Sequence, residues 1–308
     1  MSQYRFIVGI QGYILSDDEK AIFTQMRPLG FILFTRNMQS KDQLIALTNS
    51  LKELCGQDTL IFTDQEGGVV SRLESSGLVP EGSYKSSRDI YDIYKKFGLQ
   101  EAKNQVEENY FKMGNDLKIF GLNGTFAPVA DLLYPGADPI IGTRSFGSYL
   151  DKPDVVIALC GSAMDGLDRA GVFGCIKHMP GHGLAQVDSH KALPFVDKDL
   201  TFLEQNDFRV FKELAPRAKF AMTAHIVYKC LDDRLPVSLS ELAIRYIRSK
   251  EGIDFQGNII TDDICMGALS KNLVQNACQA SSAGVDVILC CNATLDQLRE
   301  LSNLNTAA

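Results

Sequence analysis

Apolar residues in this chain fall into eight short runs, at residues 6–10, 31–34, 60–63, 124–129, 173–177, 220–224, 258–261 and 286–291. Within each run the hydrophobic positions are near-continuous rather than alternating. That is the pattern of parallel strands covered on both faces, where no side of the sheet meets water. Between the runs the spacing changes to that of helices. Ala102, Val106, Tyr110, Met113 and Leu117 recur at three- and four-residue steps, as do Leu239, Leu242, Ala243, Tyr246 and Ile247. Each set predicts one buried helical stripe. Ser16 with Glu19, Ser40 with Gln43, and Ser238 with Glu241 have the spacing of a capping box and predict helix starts.

Eight strands alternating with helices predict an α/β fold of the (β/α)8 barrel type, with a doubly wound open sheet as the competitor. No linker, internal repeat or low-complexity stretch divides the sequence, so residues 1–308 are expected to form a single domain. Two connections, 130–150 and 178–199, are longer than the scaffold needs, and long loops in a compact domain are often functional. The last helix, near 295–304, is short, and barrel closure there is the part of the fold the pattern supports least.

The net charge of −7 gives no reason to expect a nucleic-acid or anionic-membrane partner. No run approaches the roughly 18 apolar residues of a membrane span. The run at 6–10 is interrupted at once by Gln11 and is too brief for an export signal. Eight cysteines are scattered without a C-x-x-C spacing. They are expected to be reduced structural residues, consistent with a cytoplasmic location.

Polar residues cluster at the C-terminal ends of the strand runs: Asp64, Asp131, Lys177 with His178, His225, Asp262 with Asp263, and Asn292. In a parallel barrel those ends converge on one face, so six such ends predict one site. All four histidines, His178, His182, His190 and His225, follow the fifth or sixth strand. A zinc site on His178 and His182 would need a helix to bring both rings to one face, and Pro180 and Gly181 oppose it. No G-x-S-x-G elbow and no phosphate-loop glycine spacing is present. No metal and no cofactor are expected.

The segments ILFTRNM (32–38), DQEGGVVSR (64–72), FAPVADL (126–132), IGTRSFG (141–147), KHMPGHG (177–183), DSH (188–190), MTAHIVY (222–228) and TDD (261–263) occur in one order from about residue 5 to residue 295. With them the sequence resembles glycoside hydrolase family 3, in particular its bacterial β-N-acetylhexosaminidases of peptidoglycan recycling. The resemblance implies a nucleophile at Asp262, an acid/base at His190 and an orienting carboxylate at Asp188. It implies that Asp64, Arg72, Arg144, Lys177 and His178 hold an N-acetylglucosamine ring. The implied substrate is β-linked N-acetylglucosamine on a 1,6-anhydromuramyl group, with or without peptide, cleaved by a monomer.

The residue chemistry fits those roles. A retaining glycosidase needs a nucleophile on one side of the sugar and an acid/base on the other. Imidazole can serve both proton transfers near neutral pH, and Asp188 can fix its tautomer as a triad aspartate does. Other residues read as structural: Asp263 as a helix cap, Asp131 as a support, and His182 as a brace of its own loop, while Glu66, within its tight turn, reads as solvated or structural rather than as a general acid. His225 reads equally as shaping the pocket or touching sugar. Met179 and Cys265 depart from the phenylalanine and serine usual in the family without removing chemistry. Two rival functions are phosphorolysis to a sugar 1-phosphate and sugar binding without catalysis.

Overall fold

A computed structural model of the chain describes residues 4–136, 141–151, 153–189, 191–269 and 272–306. Each apolar run forms a strand or its core: β1 (Phe6–Gly9), β2 (Gly30–Leu33), β3 (Leu60–Thr63), β4 (Gly124–Thr125), β5 (Phe173–Met179), β6 (Phe220–Thr223), β7 (Asn258–Ile260) and β8 (Ile288–Cys290). All neighbours pair in parallel, in the order β7-β6-β5-β4-β3-β2-β1-β8. Phe6 aligns with Ile288 across β1 and β8. The ring closes between β7 and β8 through the bridge of Ile260 with Val287 and the bond from Thr261 N–H to Val287 carbonyl at 3.0 Å. This is the expected barrel rather than an open sheet.

Strand alternation makes two cores. Ile7, Ile32, Phe62, Phe126, Cys175, Phe220, Met222, Ile260 and Leu289 point inward and fill the barrel. Their neighbours, such as Phe6, Val8, Phe31, Leu33, Ile176 and Ile288, point outward against the helices. A strand buried on both faces has no polar side to show, which is why the runs are continuously apolar. Ladder β4 is shorter than its run predicts. Pro128 lacks an N–H and cannot continue a regular ladder, although Pro128 carbonyl still accepts from Lys177 N–H at 3.2 Å.

A barrel helix follows each strand: α1 (Asp17–Met26), α2 (Lys41–Cys55), α3 (Leu99–Ile119), α4 (Pro153–Ala170), α5 (Asp207–Leu214), α6 (Glu241–Arg248), α7 (Leu273–Ala283) and α8 (Leu295–Thr306), with further helices at Ser87–Phe97 before α3 and Leu200–Gln205 before α5. Ser16 and Glu19 make the full capping box of α1, and Ser40 caps α2. The stripe of α3 is buried as predicted.

Helix α6 differs from expectation. Ser240, not Ser238, is its N-cap, because Ser238 lies in the preceding 3-10 turn and its hydroxyl meets the His225 ring. The buried face is correspondingly Ala243, Ile244 and Ile247, while Leu242 is exposed. Among the described residues no helix is long and apolar enough to cross a membrane.

Candidate active site

Asp64 follows β3 directly. The chain then makes a tight hairpin, Gln65–Gly67 against Val70–Ser71, before Arg72 opens a short helix. Gly67 and Gly68 turn it with φ of +89° and +63°. A Cβ on either would lie 2.5 Å from Lys85 carbonyl or Ser86 Cβ, so only glycine fits. The turn sends Arg72 back to donate to Asp64 at 3.3 Å.

From β5, Lys177 and His178 both face the cavity, although successive strand residues ordinarily alternate. The register of β5 against β6 shifts between Lys177 and Met179, and such irregularities re-aim side chains. Lys177 Nζ reaches Asp64 at 3.1 Å and Glu66 at 2.7 Å. Arg144 grips Glu66 with two bonds, at 2.8 and 2.9 Å.

Glu66 is therefore the buried hub of a charge network. Burial would raise its carboxyl, but Arg144 and then Lys177 overcome that and hold it far below the ordinary carboxylate range. A carboxylate so held is no general acid. The sequence reading rightly placed it among structural residues, but it is ion-paired, not solvated. Burial would likewise lower Lys177, and Glu66 and Asp64 keep it charged.

Asp131 is fully buried behind this wall. One oxygen accepts from the His178 and His182 backbone N–H groups at 3.1 and 2.7 Å, and the other meets His178 Nδ1 at 2.7 Å. His182 Nε2 lies 3.0 Å from Ser189 Oγ. Burial pushes the His182 ring down to about 4, so it is neutral near pH 7. This agrees with His182 bracing its own loop. Ser189 carbonyl in turn accepts from Ala268 N–H at 3.1 Å, tying the fifth loop to the segment after β7.

Asp262 stands at the end of β7, partly exposed to the cavity. Its Oδ1 accepts from Asp263 N–H at 2.8 Å. Burial would raise its carboxyl, but the nearby His178 and His225 rings, the Asp263 N–H and Lys177 more than offset that. The carboxylate is ionised.

Asp263 caps no helix; Asn272 caps α7. Instead Asp263 Oδ1 accepts from Cys265 N–H at 3.0 Å and Cys291 N–H at 2.9 Å, joining the ends of β7 and β8. His225 uses both nitrogens, on Ser238 and on Asp263 carbonyl at 3.0 Å, and it is absent from the cavity lining. It shapes the pocket.

Asp64, Glu66, Arg72, Arg144, Lys177, His178, His182, Ser189 and Asp262 line one cavity of about 510 Å3 at the C-terminal mouth of the barrel. That size lies within the roughly 300–1,000 Å3 of small-molecule sites. Its remaining surface is mostly apolar, with Ile32, Phe34, Met222, Met266 and Leu289 among the side chains, and with Thr143, Asp263 and Asn292 as further polar residues. Asp188 is half-buried at the base of the same loop, its carbonyl accepting from Lys191 and Ala192 N–H. His190 lies outside the described residues. Among the described residues no cluster of histidine, cysteine, aspartate or glutamate is arranged to hold a metal ion.

Sequence reasoning missed Ser189, whose hydroxyl links the loop to His182. It also missed Arg36, which joins Ile10 and Cys291 carbonyls and Asn292 at the barrel rim. Both lie inside recognised motifs, yet nothing in their spacing reveals their partners.

Residues 7–307 match the model of the glycosyl hydrolase family 3 N terminal domain. The chain is 33% identical over 300 residues to a beta-hexosaminidase of Neisseria meningitidis serogroup C, covering 96% of this chain and 80% of that one. A beta-hexosaminidase of Alkalilimnicola ehrlichii is 34% identical over 290 residues, covering 93% and 80%. The crystal structure of NagZ from Neisseria gonorrhoeae in complex with N-trifluoroacetyl-D-glucosamine superposes with a TM-score of 0.87 at 30% identity, covering 98% of this chain and 85% of that one.

Proposed function

The chain belongs to glycosyl hydrolase family 3 and is a glycoside hydrolase of the β-hexosaminidase kind, and on that premise we propose that it removes terminal β-linked N-acetylglucosamine with retention of configuration. Asp262 attacks the anomeric carbon while His190 protonates the departing oxygen. Water then gives its proton to His190 and displaces Asp262, returning both groups to their starting states. Asp188 orients the imidazole. Asp64, Arg72, Arg144, Lys177 and His178 receive the sugar.

The observation that carries this reading is that Asp262 and Ser189, the chain neighbour of His190, line the same cavity. The ion-paired carboxylates and cations beside them are fixed by one another, so they meet sugar oxygens without reorganising. Arg144 and Lys177 serve partly through Glu66: their bonds to it set the wall against which the sugar lies. The substrate proposed is an N-acetylglucosaminyl-1,6-anhydromuramyl fragment of the cell wall, cleaved in the cytoplasm by a monomer whose one domain is the barrel.

The test is hydrolysis of 4-nitrophenyl N-acetyl-β-glucosaminide beside the plain β-glucoside, with the product anomer followed by NMR. Preferred cleavage of the acetamido sugar with the β-anomer formed first supports the proposal. Equal rates, or the α-anomer first, would overturn it. Sugar 1-phosphate formed only when phosphate is added would move the assignment to phosphorolysis.

A further inference from the structure

Asp131 lies behind the cavity wall and touches no part of its surface, yet it makes three hydrogen bonds to the end of β5 and the loop that follows it. Two of them hold the backbone of His178 and His182. The third is directed at the His178 ring, which does line the cavity.

An ionised carboxylate can only accept hydrogen bonds. Burial would raise Asp131, but the His178 ring, His182 and the His178 backbone N–H hold its carboxyl below the usual range, so it is ionised. His178 Nδ1 at 2.7 Å must then carry a proton. Nε2 is left as the ring atom that can meet a ligand oxygen. Edge-to-face contact with the His182 ring, centroids 5.3 Å apart, limits rotation of the imidazole out of this position.

We infer that Asp131 is a positioning residue for the sugar-binding step: it fixes the protonated nitrogen of His178 and so presents Nε2 as an acceptor to a hydroxyl of the bound sugar. The inference rests on the proposed role of His178 in holding the sugar. A carboxylate that served only the backbone would need neither the ring bond nor that alignment. The principle is that of a triad aspartate, which selects a tautomer without touching substrate.

Asp131→Asn separates the two roles. Its amide oxygen can still accept from both backbone N–H groups, while its NH2 replaces the oxygen facing the ring and demands an acceptor at Nδ1. The proton moves to Nε2, and kcat/KM on 4-nitrophenyl N-acetyl-β-glucosaminide is expected to fall about 10- to 100-fold, mostly through KM. In a His178→Gln background the same change should cost little more, because the ring it acts through is gone. Full additivity of the two losses would overturn the inference.

Should Asp131→Asn fail to fold, 15N NMR of the wild-type rings decides instead. With four histidines in the chain, the His178 signal is identified by its loss in His178→Gln. A proton on Nδ1 supports the inference, and Nδ1 without one sinks it. The NMR result does not depend on turnover. A wild-type protein that cleaves no glycoside would refute the proposed function while leaving the tautomer question answerable.

Discussion

At the scale of single residues, environment divides chemically identical groups. Asp262 and Asp207 are both aspartates close to the fifth loop, yet Asp262 is held ionised by its neighbours while burial pushes Asp207 up to about 7. The Tyr134 hydroxyl, 2.5 Å from Asp207 Oδ2, pulls the other way, and the charge of Asp131 adds to the rise. An unfolded aspartate titrates near 3.9. Between about pH 4 and pH 7 the folded protein therefore keeps a proton that the unfolded chain has lost. This contribution to stability is complete below that window and disappears as pH rises through it. Asp207→Asn, which still accepts from Tyr134, should raise Tm above pH 7 and flatten the slope between pH 4 and pH 7. A wild-type slope retained in the variant would refute this. For the chemical step, Asp262→Ala should abolish turnover. His190→Ala should slow it about 10²- to 10⁴-fold, less on aryl glycosides whose leaving groups need no proton. Equal losses on all leaving groups would count against His190 as the acid.

At the scale of elements, the described parts of the two long loops pack against each other. Gly181 lies against Asp207, its carbonyl accepts from the Tyr228 hydroxyl, and His182 N–H binds Asp131. At Gly183 the fifth loop presses directly on the fourth: a Cβ there would sit 1.8 Å from Leu132 carbonyl. No side-chain rotation relieves a contact with backbone, so Gly183→Ala must push the loops apart. Displacement of a catalytic loop by about 1 Å can cost about 10²-fold in rate. We expect a loss of that order in kcat, measured with the aryl substrate, and a lower Tm. An alanine variant with wild-type kcat would show that the loops do not act together.

At the scale of the molecule, the barrel depends on joining the two ends of the chain. β1 pairs with β8, and α8 lies beside α1. Asn305 links them through its side chain: Oδ1 accepts from Tyr4 N–H at 3.0 Å, and Nδ2 donates to Tyr4 and Met26 carbonyls at 3.1 and 3.0 Å. These bonds lie at the face opposite the cavity. Asn305→Ala should therefore cost about 1–3 kcal/mol of stability, read by urea denaturation, with kcat/KM unchanged. Loss of activity without loss of stability would contradict this division between the two faces.

The sequence by itself determined the architecture, because burial on both faces leaves no polar residues within a barrel strand, and eight such runs alternating with helical stripes admit few folds. It also indicated which polar residues gather at one mouth of the barrel, since Asp64, Lys177, His178 and Asp262 end those runs and line one cavity. The short last helix, doubtful from its pattern, is a full element of the barrel because its partner α1 lies at the other end of the chain. Only the tertiary structure decided partnerships. That Glu66 is bound by Arg144, 78 positions away, that Ser238 serves His225 and leaves the cap of α6 to Ser240, and that Asp263 clamps β8 depend on which strand ends meet. Hydrophobic periodicity is local and can be read from neighbours in the chain. A hydrogen bond between loops is fixed by the closed ring that carries them, and no local pattern encodes it.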